Sequence, residues 1–187
     1  MGVLKNNVIT FTPTLPPTKI NAINSTNVGN INKFLLVWNT PFWDTNLQYN
    51  GYTPDAKGKF YYFLNIKKFT PSNGLMTFAF GDYATVTESM SDNQLINEIM
   101  LNLKSIYGSS IPNPAYFLRT KWGQNINSYG AYSYATNGST SADFDTLANE
   151  VNNKVFFAGE HTVKEYRGTV HGAYLSGIRK ADKIIDL

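Results

Sequence analysis

An α+β fold is predicted by three features of this 187-residue chain. Three nearly continuous apolar or aromatic runs, Phe34 to Trp38, Phe60 to Ile66 and Leu75 to Phe80, have the length and residue types of strands buried on both faces. Residues 91 to 107 place Leu95, Ile96, Ile99, Met100, Leu103, Ile106 and Tyr107 on one stripe at helical spacing. Near the C-terminus a second stripe, from Val170 through Tyr174, Ile178 and Ala181 to Ile185, predicts another helix.

Taken in order, Gly2 to Leu4 read as the tail of an apolar strand whose beginning is missing, and Val8 to Phe11 as a short strand after the Asn6-Asn7 turn pair. Pro13, Pro16 and Pro17 interrupt regular structure, and Pro17 suits the first residue of a helix through Asn24. Asn39 to Lys59, rich in Gly, Pro, Asn and aromatic residues, reads as a surface excursion or a pocket rim. The central helix has signed ends: Ser91 with Gln94 forms a capping box, and Gly108 sits where a left-handed residue stops a helix. Tyr116 to Trp122 reads as a strand after the Pro112 and Pro114 turn, and residues 123 to 153 as ordered loop holding Tyr129, Tyr132 and Tyr134. Val155 to Ala158 reads as a buried strand, Gly159 to Arg167 as a connection, and the last stripe as its following helix.

Composition narrows the function classes. Sixteen basic and thirteen acidic residues give a net charge of +3 with no run of five or more like charges, which argues against a nucleic-acid groove. Absence of cysteine excludes disulfides, thiolate metal sites and thioether-linked cofactors. No apolar run approaches the roughly 20 residues of a membrane span, and Met1 to Thr10 lacks a signal pattern, so the chain reads as soluble, with a cytoplasmic location favoured. The sequons at Asn24 and Asn137 read as chance. His161 and His171, the two histidines, lack the companions a zinc site needs, and no metal is expected.

The chemistry concentrates near the C-terminus. A strand, then Gly159 and Glu160, a connection and a Gly-containing helix is a shape that invites a cofactor, because a helix start offers unpaired N–H groups and a partial positive charge. Gly172 and Gly177 each cost about 1 kcal/mol relative to Ala inside a helix, so close approach of another group is expected at both.

The segment KVFFAGEHTVKEYRGTVHGAYLSGIRKADKI, beginning at residue 154, resembles the C-terminal flavin motif of the flavin-containing amine oxidase family. GNINK at 29 to 33, PFWD at 41 to 44, TKW at 120 to 122 and GAYSY at 130 to 134 follow the same family's order, so the resemblance covers essentially the whole chain. It is similar in particular to polyamine oxidases and lysine-specific histone demethylases.

The resemblance implies a two-domain enzyme: segments 1 to 28 and 141 to 187 belong to a Rossmann-like FAD domain, and 29 to 140 to a substrate domain of mixed sheet and helices. The GxGxxG fingerprint that seats a dinucleotide pyrophosphate is absent from this sequence, so the chain by itself is expected to hold no FAD and to be inactive. A missing N-terminal FAD-binding half is the implied partner, and the surface it would cover is expected to be apolar and to favour oligomers. By the resemblance, Gly159 and Glu160 meet the cofactor, with Glu160 accepting from the flavin's sugar-like chain. Thr169 and Val170 form the turn at the pyrimidine edge, Lys33 faces the reactive ring nitrogen through a water, and Trp122 packs beside the ring. Tyr132 and Thr169 line the substrate position, where other members carry a second tyrosine in place of Thr169. Ala131 stands where some members attach flavin through Cys, so FAD would be noncovalent. On residues alone, Lys33 reads as a surface lysine at a strand start and Thr169 as a plain N-cap. The implied reaction is oxidation of an amine C–N bond with oxygen as final acceptor. The alternatives are a cofactor-free binding module and one chain of a multi-chain oxidase.

Overall fold

A computed structural model describes all of residues 1–187. The elements follow as α1 (Gly2–Lys5), α2 (Pro17–Ser25), β1 (Thr26–Gly29), β2 (Ile31–Val37), β3 (Tyr49–Gly51), β4 (Lys59–Asn65), β5 (Gly74–Phe80), α3 (Gly81–Ser89), α4 (Asp92–Tyr107), β6 (Tyr116–Arg119), β7 (Tyr132–Ala135), α5 (Ser141–Ala148) and α6 (Val170–Ile185), with single 3-10 turns at Ile66–Lys68 and Glu160–Thr162. The α+β class holds. The chain divides into two compact units, Met1–Gly29 with Asn125–Leu187, and Asn30–Gln124. No helix is long and apolar enough to cross a membrane.

In the unit spanning 30–124, five strands form one sheet in the order β3-β4-β5-β2-β6. Every pairing is antiparallel, so the sheet of mixed direction implied by the resemblance is realised here as an antiparallel one. One face buries Phe34, Leu36, Phe63 and Leu75 against Leu95, Ile99 and Leu103 of α4. Burying each such side chain contributes roughly 1.5 to 3 kcal/mol. The capping box forms as expected, Ser91 Oγ accepting from the Gln94 amide while Gln94 Oε1 accepts from the Ser91 amide, and Gly108 ends the helix at φ +93°.

The strands are not buried on both faces. Along β2 and β5 burial alternates, so the runs are apolar because the outer face carries half-exposed aromatic residues as well. Strict alternation would put Phe60 and Phe63 on opposite sides. A register shift between Lys59 and Phe63, with Phe60 at φ +38°, turns both inward and leaves Tyr61 and Tyr62 together outside. There Tyr62 stacks on Phe78 at 5.0 Å and Tyr61 on Phe80 at 5.2 Å.

In the unit built from both ends of the chain, α2 and α5 pack around Leu15, Ala22, Ile23, Phe144, Leu147 and Phe157. Buried Lys19 crosses this core: its ammonium donates to the carbonyls of Thr146, Leu147 and Asn149 and lies 4.2 Å over the Phe157 ring. These carbonyls close α5, whose negative dipole end favours a cation. Burial, joined by Lys180 and opposed by Glu150, brings its pKa down to about 8.

Several expectations are corrected here. The compact units part at 124–125, because β7 pairs with β1 across more than a hundred residues, Gly29 opposite Tyr132. Residues 123 to 153 therefore hold a strand and the helix α5 as well as loop. Gly2–Lys5 is a helical turn, and 8 to 11 has no regular structure. Val155 makes one bridge to Val151, and 156 to 158 form no strand, since an apolar run becomes one only beside a partner. The strand expected through Trp122 ends at Arg119.

Helix α6 reverses the usual pattern. Its buried side is Gly172, Ser176 and Lys180, four residues apart, while Val170 is 89% exposed, Tyr174 69% and Ile185 80%. Close approach is realised at Gly172, where an added Cβ would meet the Tyr166 carbonyl oxygen at 2.3 Å, but not at Gly177, which faces open space. Gly172→Ala is thus expected to destabilise this unit by about 1 to 3 kcal/mol. Gly177→Ala is expected to stabilise it by roughly 0.5 to 1 kcal/mol. Denaturant melts of both variants check the contrast, and equal shifts would contradict it.

Candidate functional site

The loop that enters α6 is built around one carboxylate. Glu160 Oε1 accepts from the Ser133 amide at 2.9 Å, and Oε2 accepts from the Ser133 hydroxyl at 2.7 Å and the Gly168 amide at 2.8 Å. A carboxylate has about four acceptor positions, so one remains open. Glu160 thereby ties β7 to the turn before α6 and brings Tyr132, beside Ser133, next to Gly168. A Cβ on Gly168 would lie 3.7 Å from the Tyr132 ring.

Gly159 sits at φ +138°, where side chains are strained, and a Cβ there would meet His161 Cε1 at 2.6 Å. Its amide donates to Ser176 Oγ at 2.8 Å, so it offers a ligand its bare Cα and no donor. His161 is buried. Burial, with the nearby amino terminus, pulls its pKa to about 4 against the opposing pull of Glu160, which leaves the ring neutral at physiological pH. No group of three His, Cys, Asp or Glu side chains converges to hold a metal ion.

At the start of α6, Thr169 Oγ1 accepts from the Gly172 amide at 3.0 Å and donates to the Tyr166 carbonyl at 2.6 Å, a working N-cap. The Ala173 amide is satisfied by the Thr169 carbonyl. The amides of Val170 and His171 have no acceptor in the chain, and sixteen helical residues lie behind them. Two open donors at the positive end of a long helix suit an acceptor-rich or anionic group. Glu160, Tyr132, Thr169 and Val170 thus share one region of the unit formed by the two ends.

Lys33 and Trp122 belong to the unit spanning 30–124. Lys33 is exposed on the outer face of β2, with Phe78 as cross-strand partner, and no carboxylate pairs with its ammonium. Its amide donates to Thr120 Oγ1 at 2.9 Å, and its carbonyl accepts from the Thr120 amide at 3.1 Å. The Trp122 amide donates to Asn32 Oδ1 at 3.0 Å while the indole is 38% exposed.

Ser133, Asn32 and Glu88 escaped the sequence reading. Ser133 had a signal: the alternation Tyr132, Ser133, Tyr134 is the period of a strand with its middle residue buried. Asn32 and Glu88 had none, because a buried polar pair is defined only by its tertiary partners.

Comparison with known proteins gives a consistent set of matches. The family described as "Flavin containing amine oxidoreductase" matches residues 1–185. "Lysine-specific histone demethylase 1 homolog 3" of Arabidopsis thaliana is 37% identical over all of this chain, which spans 12% of that protein. "Probable polyamine oxidase 4" of Arabidopsis thaliana is 38% identical over 95% of this chain, which spans 35% of it. Among solved structures, wild-type putrescine oxidase bound to putrescine superposes with a TM-score of 0.80 at 19% identity, covering 100% of this chain and 41% of that one, a likeness of fold alone.

Proposed function

The chain belongs to the flavin-containing amine oxidoreductase family, and we propose that it is the C-terminal part of an FAD-dependent amine oxidase. The carrying observation is the open start of α6, with the Val170 and His171 amides unpaired and the preceding turn held by Glu160. A flavin fits this donor set. Its pyrimidine edge is rich in acceptors and becomes negative on reduction, and its ribityl hydroxyls can donate to the acceptor position left on Glu160. In this reading segments 1–29 and 125–187 supply FAD-domain elements and 30–124 the substrate domain.

When bound, FAD would supply the two-electron acceptor: a hydride equivalent would leave the C–H bond of the carbon next to the amine nitrogen and a proton the nitrogen, giving an imine, with oxygen taking the two electrons and two protons as hydrogen peroxide. The chain's own residues bind, orient and shield. Val170 and His171 amides and the α6 dipole would hold the ring edge, a dipole effect worth about 0.3 to 2 kcal/mol. Tyr132, whose ring lies 3.7 Å from where a Gly168 Cβ would sit, would offer a flat face that orients an amine, with Thr169 next along the chain also assigned to the substrate, and Trp122 is assigned a place beside the flavin ring. The Lys33 ammonium, with no partner in the chain, is assigned to a water at the reacting edge of the ring. Ala131 offers no thiol, so cofactor binding is noncovalent.

A GxGxxG-bearing segment of the complete protein is proposed to cover the apolar side of α6 and the unpaired run at 155–158. Two further grooves in this unit, of about 290 and 260 Å³, are lined by Leu4, Ile9 and Phe11, the second reaching Phe156 and His161. They add apolar surface of the kind such a segment buries. The experiment that tests the reading is anaerobic reduction of the flavin by an amine in the complete protein.

A further inference from the structure

We propose that Glu88 is a positioning residue for the reacting end of the site, holding Lys33 and Trp122 in place through the side chain of Asn32. The inference rests on the flavin reading above, because that reading gives Lys33 and Trp122 their roles.

Glu88 lies at the end of α3 and is only 4% exposed. A carboxylate so placed needs several donors to remain ionised. Its Oε1 accepts from Asn32 Nδ2 at 2.8 Å, Asn30 Nδ2 at 3.0 Å and the Gly123 amide at 2.8 Å. Burial alone would raise its pKa. The donors of Asn32 and Asn30 and the backbone amides of Gly123 and Gln124 outweigh burial together and hold it below the usual range. Gly123 leaves room for this arrangement, since a Cβ there would sit 2.9 Å from Glu88 Oε2 and 2.8 Å from Asn30 Nδ2 and displace one of them.

Asn32 is fully buried and converts this anchor into geometry. Its Nδ2 also donates to the Ala84 carbonyl at 3.1 Å, and its Oδ1 accepts from the Trp122 amide at 3.0 Å and Thr120 Oγ1 at 3.2 Å. A flipped amide would set a donor against the Trp122 N–H and an oxygen against the carboxylate, so one orientation survives. Thr120 Oγ1 in turn accepts from the Lys33 amide. The backbone amides of Lys33 and Trp122, 89 residues apart in sequence, are therefore fixed by one chain of hydrogen bonds that starts at Glu88. From below, Arg119 donates to the carbonyls of Thr87 and Met90 and pairs with Asp92 at 2.9 Å, which holds the end of α3 itself.

The test compares Glu88→Ala and Glu88→Gln in two settings. In the 187-residue chain, residue-resolved amide exchange of Glu88→Ala should lose at least about tenfold protection at Lys33, Trp122 and Gly123, with Leu36 and Thr77 unchanged. Glu88→Gln, which keeps a carbonyl acceptor, should retain most of it. Unchanged Trp122 and Gly123 amides, or uniform loss through the whole sheet, would overturn the proposal. In the complete flavoprotein, Glu88→Ala should slow the limiting rate of flavin reduction or reoxidation by about tenfold to a hundredfold, the scale on which small misplacements act, with FAD affinity within about twofold and partial rescue in Glu88→Gln. If Lys33→Met slows a flavin half-reaction and Glu88→Ala does not, the positioning role fails alone. If neither does, the role fails together with the reading beneath it.

Discussion

Replacing Lys33 with Met in the complete protein is expected to slow flavin reduction, or its reoxidation by oxygen, by on the order of a hundredfold, the scale of one positioned proton-handling group. FAD affinity should change by less than about twofold. Met preserves the length of the side chain and removes its charge and donors. The backbone bonds that seat Lys33 run to Thr120 and do not involve the ammonium. With the side chain on the exposed outer face beside Phe78, the substitution should leave stability within about 0.5 kcal/mol. Kinetics therefore isolate the ammonium. Rapid mixing of each half-reaction separates the steps, and equal, small effects on both would return Lys33 to the ordinary surface lysine its position at a strand start suggests.

Glu160→Ala is expected to show the opposite profile, with FAD affinity lowered about tenfold to a hundredfold, as loss of a charge-assisted hydrogen bond worth about 1.5 to 3 kcal/mol implies. The limiting rates of the protein that still holds FAD should stay within about threefold of the parent. The structure adds a consequence that the motif alone does not carry. Because the carboxylate also receives the Ser133 amide, the Ser133 hydroxyl and the Gly168 amide, its removal leaves three donors unmatched and loosens β7 from the turn before α6. The melting temperature of the 187-residue chain should fall too, with partial recovery in Glu160→Gln. An FAD titration beside a thermal melt checks both. Unchanged affinity with a lowered melting temperature would assign Glu160 to the fold alone.

What the sequence revealed and what it hid divide along the range of the interactions. Helices α2 and α4 were legible because Pro17, the Ser91–Gln94 box and Gly108 are local signals, each acting within a turn of its own position. α3 carries few local signals: Gly81–Ser89 starts with Gly and holds Tyr, two Thr and a Val, all weaker helix formers, and it holds as a helix by burying Ala84, Thr87 and Glu88. The strands β2, β4 and β5 were visible as apolar runs, yet their facing was not, since the outward aromatic residues look like core until the bulge at Phe60 is known. The domain boundary depended on β1 meeting β7, which no local pattern announces. Glu160 and Thr169 stand out in the sequence only as candidates through their motif, whereas the hydrogen-bond partners Ser133, Gly168, Asn32 and Glu88 are chosen by the tertiary fold. α6 was found from its apolar stripe, and the structure shows that stripe outside, with Ser176 and Lys180 turned inward.

Amine oxidation by a bound flavin is tested most directly by the flavin absorbance of the complete protein under anaerobic conditions as amines are added, beside the dialysed 187-residue chain as control. A polyamine, a free amino acid and a methylated-lysine peptide cover the substrate classes left open. The complete protein is expected to be yellow, at least one of these amines to bleach its flavin band, and admitted oxygen to restore it with release of peroxide, while the 187-residue chain alone keeps no stoichiometric flavin through dialysis. A complete protein that binds no flavin, or one whose flavin no amine reduces, would contradict the assignment as an amine oxidase.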